Sequence, residues 1–424
     1  MKIVLINHTF SRESFRRRWR LLAEQHKDWD ITLLSPKEWT SGADKRVTFG
    51  NPSTVAVNDI DDENFHVRTF GIQRTTSMGW VSQDMIDYFR KNKPDVIYHI
   101  GSHFQASLFQ ILKYKKTMNP SQKVFAFSMR GQVSDLSFIL ERAQKEKSFM
   151  RKMIQLTKYY YLKKKVLFFN KYCDAVFCHY PKAKESFLKE GFRGPIYIQT
   201  QVGVDPDYFY QDARKRQLIR ERYGIGDSFL FASAVRFNAG KGIMQVLDAL
   251  PVDGDWKYLL MGSGLPEEIE DVRQKISERG LEDRIILPGF IEWEDMPAHL
   301  NAADCMIHFT QTTDLWEETF SLALVQAMAV RLPVIGSSSG SVPYQIGPDG
   351  IIVDESDISG LHEKLQWAIY HPEQMKSIGE KLYQRTIRSF SIGHLNNLFY
   401  ATVNDILNGI YDGDKEDMAN ASIV

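Results

Sequence analysis

Glu318-Thr-Phe-Ser-Leu-Ala-Leu-Val-Gln-Ala-Met-Ala-Val-Arg-Leu-Pro-Val-Ile335 runs from an acid into an apolar helical pattern and then past Pro333 into a strand-like run. The helical pattern is carried by Leu322, Val325, Met328 and Ala329. Gln326 follows Glu318 by about two helical turns, at roughly 1.5 Å of rise per residue. Both side chains can therefore lie near one face, straddling the helix start. The free N–H groups at that start form a ready site for a phosphate. A long phosphorylated ligand, held at its middle by the helix and at its ends by Glu318 and Gln326, fits this spacing.

Outward from this stretch, short apolar runs rich in branched residues alternate with helical patterns. In the first half the runs are Ile3–Ile6, Ile31–Leu34, Val96–His99, Val124–Phe127, Ala175–Cys178 and Ile196–Ile198. In the second they are Phe229–Val235, Tyr258–Met261, Ile285–Leu287, Met306–Phe309, Pro333–Ile335 and Ile351–Val353. Such alternation predicts βαβ units and a parallel sheet, twice over. Ligands of open parallel sheets bind at the carboxyl ends of the strands, and there the second half places its polar residues. Arg236 and Lys241 follow its first strand, Gly262-Ser-Gly264 the second and Gly289 the third. Glu318 follows the fourth, and Ser337-Ser-Ser-Gly-Ser341 the fifth. These loops predict one polar crevice with cationic, glycine-rich and acidic parts.

The 424 residues exceed one typical domain and match two. Gly203, Asp205, Pro206 and Asp207 mark a boundary near Val204–Arg214. Lys+Arg and Asp+Glu balance at 53 each, which argues against a dedicated nucleic-acid binder. Cys173, Cys178 and Cys305 sit in apolar runs, as reduced buried thiols of a cytosolic protein do. A metal reading of Cys173 and Cys178 with His179 lacks a second ligand pair. Lys-Ile-Val-Leu-Ile-Asn at the N-terminus is too short for a signal segment, and no apolar run nears the roughly 20 residues of a membrane helix. The expectation is a cytoplasmic protein, at most peripheral at the inner face of the membrane. His394–Ile410 carries a helical apolar stripe, and Asp412–Val424 reads as a mobile tail.

The Glu318 segment resembles the donor-binding signature of the GT-B, GT4-type retaining glycosyltransferases (glycosyl transferases group 1): Glu, seven residues, Glu, then Ala-Met-Ala and Pro-Val-Ile. Here Gln326 stands for the second Glu. Arg331 stands for the glycine usual three residues before Val334, its side chain expected in solvent. Ala234-Val-Arg-Phe-Asn-Ala-Gly-Lys-Gly-Ile243 resembles the family's Gly-Arg-Leu…Lys-Gly loop. Gly340-Ser-Val-Pro343 resembles its Gly-Gly-Val-Pro loop, with Tyr344 where an acid is usual. The resemblance covers Phe229–Asp354, and the first half loosely through Arg130-Gly131 and Val202-Gly-Val-Asp205. It implies an α/β GT-B fold: two facing Rossmann-like domains with mostly parallel sheets and an interdomain cleft. Residues 1–205 would bind the acceptor and 206–390 the nucleotide sugar. A helix over 391–411 would cross back to the first domain, with the tail at 412–424.

The resemblance assigns Arg236, Lys241 and Glu318 as catalytic. Both cations would neutralise a departing diphosphate, to which preformed charge contributes several kcal/mol. Glu318 would position the transferred sugar. Gly262, Gly264, Phe290, Thr319, Phe320, Ser321, Leu322 and Gln326 would bind the donor, Phe320-Ser321-Leu322 through backbone N–H groups. No metal or other cofactor is expected, since two cations and a helix N-terminus can neutralise a diphosphate. Each residue also has a plainer reading. Arg236 and Lys241 can be solvated cations at a helix entry. Glu318 can be a helix carboxylate stabilised by the dipole, with Thr319 available as a cap. Gln326 can accept one ribose hydrogen bond and donate another, or be a polar residue satisfied inside a helix.

The first half departs further from the family. Asn7-His-Thr-Phe-Ser11 stands where relatives carry a glycine pair, and Ser128-Met-Arg-Gly131 resembles a subgroup with Arg-Gly in place of a histidine. His99, His103 and Arg130 are the acceptor-side candidates, although a lone histidine beside a strand is more often structural. Two stretches combine cations with aromatics, as surfaces that meet anionic membrane do: Ser11-Arg-Glu-Ser-Phe-Arg-Arg-Arg-Trp-Arg20 and Lys145–Lys171. Each can equally be a solvated helix face over core aromatics.

The implied activity is transfer of a hexose from a nucleotide diphosphate sugar to an acceptor hydroxyl, with retention at the anomeric carbon. The partners would be that donor and a glycan, lipid-linked glycan or small acceptor, as in polysaccharide biosynthesis, with no nucleic acid. Two rivals share the fold: a non-catalytic partner subunit, favoured by Gln326 and Tyr344, and a sugar-nucleotide epimerase.

Overall fold

The computed structural model describes residues 1–38, 57–76, 79–129, 131, 135–314 and 316–410. Arg130 and the tail 412–424 lie outside the described residues. The chain divides into two units. One holds the described residues up to Val202 together with those from Leu395 onward; the other is Gly203–His394.

The sheet of the first unit is built from β1 (Lys2–Ile6), β2 (Asp30–Pro36), β3 (Ile60–Asp61) and β4 (Phe65–Phe70), while β5 (Arg74–Thr76) and β6 (Gly79–Val81) form a separate antiparallel hairpin. It continues through β7 (Val96–Ile100), β8 (Lys123–Ser128), β9 (Ala175–Cys178) and β10 (Ile196–Ile198), in the order β10-β9-β8-β7-β1-β2-β4-β3. Every pairing is parallel except that of β3 with β4. Helices cover both faces of such a sheet, so its central strands are apolar at successive positions rather than at alternate ones. All five residues of β7 are buried, and so are all four of β9. The six apolar runs of the sequence became β1, β2, β7, β8, β9 and the edge strand β10. β3 to β6 were not foreseen, because Phe65-His-Val-Arg-Thr-Phe70 buries mainly alternate residues and lies next to the edge.

The second unit contains β11 (Phe229–Ala234), β12 (Trp256–Met261), β13 (Ile285–Gly289), β14 (Cys305–His308), β15 (Val334–Ser337) and β16 (Ile351–Val353). Their order is β13-β12-β11-β14-β15-β16, parallel throughout. Alternate residues point to opposite faces of a strand. Leu230 and Ala232 accordingly join one apolar cluster, with Leu324, Val325 and Met328, while Phe231 joins the other, with Ile243, Leu247 and Leu361. The strand order reverses between β11 and β14, which leaves a crevice at their carboxyl ends.

Helix Ile392–Leu407 packs, from Leu395 on, in the first unit. Phe399 is fully buried, with its ring 5.4 Å from Trp19, 5.3 Å from Tyr98 and 5.6 Å from Phe177. Tyr400 stacks on His26 at 3.6 Å. Arg18 is buried and donates to Asn396 Oδ1 at 3.1 Å and to the Thr200 and Leu395 carbonyls. Burial pulls its pKa down to about 10, against the opposing influence of Tyr98.

These contacts correct one reading of the basic run at residues 11–20. Trp19 and Arg18 are core, and Phe15 packs against it. Arg16 pairs with Glu13, and Arg20 with Asp62. Part of what looked like a cationic and aromatic surface, Arg18 and Trp19, is the inner face of helix Glu13–Gln25 and fastens the C-terminal helix, while Arg12 and Arg17 are exposed.

Candidate functional site

The crevice of the second unit is built by loops that strand order brings together. β11 lies beside β14, so the loop after β11 meets the loop after β14: the Gln311 N–H donates to the Gly240 carbonyl at 2.9 Å. Lys241 ends the short 3-10 turn Ala239–Lys241 on the first loop, and Glu318 lies on the second. Lys241 Nζ donates to Glu318 Oε2 at 2.7 Å, with both side chains nearly buried. The Lys241 ammonium also lies 4.2 Å from the centre of the Trp316 ring, within cation–π range.

His308, the last residue of β14, is 2% exposed, and its Nε2 stands 3.6 Å from Glu318 Oε2. Neither of its ring nitrogens has a partner at hydrogen-bond distance. Burial by itself would raise the Glu318 pKa. Interaction with His308 and the charge of Lys241 outweigh it and hold the carboxyl down at about 2. Glu318 is therefore a carboxylate across the physiological range.

The backbone of Glu318 is set from the loop after β15. Its carbonyl accepts the Ser341 N–H at 2.7 Å. Gly340 beside it has φ +53°, and a Cβ there would stand 2.0 Å from the Glu318 carbonyl oxygen, so only glycine fits. Gln345, fully buried, clamps the next turn: its Oε1 accepts the Ser321 N–H at 2.8 Å, and its Nε2 donates to the Ser321 carbonyl at 3.0 Å. Arg385 in turn donates to the carbonyls of Tyr344 and Gln345.

Helix Leu322–Ala329 then begins, with Ser321 as its N-cap accepting from the Leu324 N–H. This corrects two expectations. Thr319 is not the cap, and the Ser321 N–H is already taken by Gln345. The N–H groups of Leu322 and Ala323, at the first helical turn, have no hydrogen bond among the described residues. Phe320 packs edge-on against Phe390 at 5.9 Å.

The remaining candidates of the second unit also lie on this rim. Arg236 is half-buried on the Lys241 loop. Gly262 has φ +141°, and its Cβ would stand 1.8 Å from the Val235 carbonyl oxygen; its N–H donates to the Gly289 carbonyl. Gly264 bridges Phe237. Both glycines thus have a structural reason, close packing between the loops after β11 and β12. Phe290 is 38% exposed after β13. Gln326 is buried on the helix, and its amide makes no hydrogen bond among the described residues. Arg331 does not simply reach solvent: at φ +61° it donates to Glu380 at 2.7 Å and lies 3.8 Å from the Tyr383 ring centre.

In the first unit, His99 and His103 do not line an open surface. His99 is 1% exposed and bonded through Nε2 to Ser107 Oγ at 2.8 Å; burial, then the neighbouring His8, drives its pKa down to about 3. His103 is 2% exposed, bonded to Ser128 Oγ at 3.0 Å and packed on Phe104 and Phe187. Cys173, Cys178 and Cys305 are buried thiols, and among the described residues no group of three or more His, Cys, Asp or Glu is placed to hold a metal. His308 and Trp316 were missed by sequence reasoning. The signal for His308 was available, a titratable residue at the carboxyl end of an otherwise apolar strand at the switch point.

The comparisons with known proteins bear on this same region. Residues 215–385 match the model of the family Glycosyl transferases group 1. The segment contains the Lys241–Glu318 pair, the Gly340 turn and the Gln345 clamp, and the match supports the group 1 family. Curated relatives of the chain include GDP-mannose-dependent alpha-(1-6)-phosphatidylinositol monomannoside mannosyltransferase of Mycolicibacterium smegmatis, 28% identical over 185 residues, 42% of this chain and 48% of that protein. N-acetyl-alpha-D-glucosaminyl L-malate synthase of Bacillus anthracis is 26% identical over 223 residues, 50% of this chain and 56% of that one. The chain spans about half the length of the curated relatives it matches. Among solved structures, sucrose-phosphate synthase from Thermosynechococcus elongatus aligns over 96% of this chain and 100% of its own, with a TM-score of 0.69 and 16% identity. Anabaena HepE in complex with UDP-glucose aligns over 96% and 100%, with a TM-score of 0.67 and 16% identity. At such identities the likeness concerns the fold, which is GT-B.

Proposed function

We propose that this chain is a group 1 glycosyltransferase that moves a sugar from a nucleotide diphosphate sugar to an acceptor hydroxyl with retention at the anomeric carbon. The observation that carries the reading is the buried Lys241–Glu318 pair beside the start of helix Leu322–Ala329. Opposite charges joined in this way cost desolvation unless geometry and further bonds compensate. A crevice that keeps them at the switch point of a parallel sheet is suited to a ligand that uses both.

The donor diphosphate would take the Lys241 ammonium, with Arg236 on the same loop and the Leu322 and Ala323 N–H groups adding to the anion site. Glu318, released from Lys241 but still near His308, would accept hydroxyl hydrogen bonds from the sugar and face the positive charge that develops at its anomeric carbon. Phosphate charge is met by protein cations and amides, so turnover needs no metal in this scheme. The second unit would hold the donor and the first select the acceptor, on the cytoplasmic side of a membrane. Among the relatives, one is named for GDP-mannose and one structure holds UDP-glucose.

A thermal-shift titration with UDP, GDP, ADP and TDP, each with and without chelator, tests the reading. A ligand specific for the folded state adds about 2.7 kcal/mol at 100 times its dissociation constant. Stabilisation by one nucleotide, unchanged by chelator, is expected, followed by release of that nucleotide from its sugar conjugates in the presence of acceptor. Anomer analysis of the product checks retention. Failure of all four nucleotides would overturn the reading in favour of a non-catalytic partner, which the unbonded Gln326 amide in place of an acid favours. Epimerised donor without acceptor would identify the epimerase.

A further inference from the structure

The helix Phe149–Tyr172 carries an apolar face that is left exposed among the described residues. Seven of the seventeen large apolar side chains exposed among the described residues lie on its 24 residues. Phe149 is 80% exposed, Met150 74% and Ile154 63%, with Tyr160, Tyr161 and Leu167 between 53% and 60%. At about 100° per residue these side chains fall within an arc of roughly 140°. The helix is held from its other side, where Leu162, Val166 and Phe169 are buried, packing with Leu136, Phe104 and Phe187. The exposed arc is thus a second apolar face, opposite the one that folding uses.

Charge identifies what would cover it. The helix contains Arg151, Lys152, Lys158, Lys163, Lys164, Lys165 and Lys171 and no acidic residue. Arg151, Lys158, Lys163 and Lys164 are exposed and pair with no acid among the described residues. On the same wheel Arg151, Lys158 and Lys163 flank the apolar arc, and Lys164 lies within it. A second copy of the chain meeting this face about a two-fold axis would set like charges against each other. Among the described residues no helix is long and apolar enough to cross a membrane, and the geometry here is that of a helix lying in the interface, apolar face down and cations at headgroup level.

We propose that the outward face of helix Phe149–Tyr172 docks the protein on an anionic lipid surface. The proposal goes beyond sugar transfer, since docking is read without donor or acceptor.

The test is flotation of the full chain with vesicles of phosphatidylcholine alone or with phosphatidylglycerol, at low and high salt. The chain should float with anionic vesicles, far less with neutral ones, and less as salt rises. Removing three cations, as K158Q/K163Q/K164Q, should weaken partitioning about a hundredfold, near fivefold for each. The apolar variant F149S/M150S/I154S should weaken it at least about tenfold. All six side chains are exposed, so both variants should melt close to the parent. Equal flotation with neutral vesicles, no flotation at low salt, or flotation unchanged in both variants would overturn the proposal. A dimer that F149S/M150S/I154S dissolves, without vesicle binding, would overturn it in favour of a second copy.

Discussion

Both sheets reverse their strand order once, between β1 and β7 in the first unit and between β11 and β14 in the second, and the two reversals are furnished differently. At the first stand Asn7, His8 and His99, where Asn7 caps its own turn and His99 bonds to Ser107. Burial lowers the pKa of both histidines, which favours their neutral forms. At the second, the buried Glu318 carboxylate is bonded to Lys241 beside a helix start. The same topology therefore yields one end whose histidine and asparagine serve the fold and another whose buried ion pair is held in readiness. Fold alone predicts two crevices, and charge distinguishes the one suited to a diphosphate.

The largest expected effect strikes the charged end. K241M should lower kcat/KM by about two to three orders of magnitude, as loss of one preorganised charge does. It should also cost on the order of 3 kcal/mol of stability by leaving Glu318 buried without its main partner. The double variant K241M/E318Q should recover most of that stability in denaturant melts and none of the activity. Recovery of activity would break the contrast.

A smaller effect is expected from pH. The Glu318 carboxyl is depressed from 4.5 to about 2 on folding, so its contribution is complete above about pH 4.5 and lost as pH falls towards 2. By linkage it is on the order of 3 kcal/mol. Wild type should exceed E318Q in unfolding free energy at pH 7 and converge with it near pH 2. A gap that does not narrow in acid would remove the ionised pair from the account.

For the first reversal, H99N should lose about 1–2 kcal/mol of stability through its buried bond to Ser107, with donor KM unchanged. A tenfold change in donor KM at wild-type stability would make His99 functional after all. The smallest effect belongs to R331G. Relief of a left-handed backbone, about 1 kcal/mol, opposes the loss of the Glu380 and Tyr383 contacts, so the melting temperature should move by no more than a few degrees, with activity unaltered.

The sequence was most legible where burial is symmetrical. Most of the parallel strands appear as unbroken apolar runs, and all twelve predicted runs match strands. β4 was invisible for the opposite reason, alternating burial in Phe65-His-Val-Arg-Thr-Phe70. Arg236, Lys241 and Glu318 of the second crevice could be named one by one, since each follows a strand, whereas His308 and Trp316 went unnoticed. Their pairing could not: Lys241 and Glu318 are 77 residues apart, and only the placement of β11 beside β14 joins them. The basic run at residues 11–20 misled because composition does not tell which way a side chain faces. Arg18 and Trp19 turn inward, whereas Phe149 and Met150 turn outward.

The clamp on Ser321 bears on synthesis. Gln345, which fixes the turn after Glu318, lies 24 residues further along the chain, and Arg385, which steadies Gln345, lies another 40 beyond it. At ribosomal speeds of about 5–20 residues per second, a nascent chain carries Glu318 for seconds before the braces of that turn have emerged. Nucleotide affinity should therefore appear late on the ribosome, well after the β11–β14 core can form, and a cell would rarely meet a half-made chain that competes for donor.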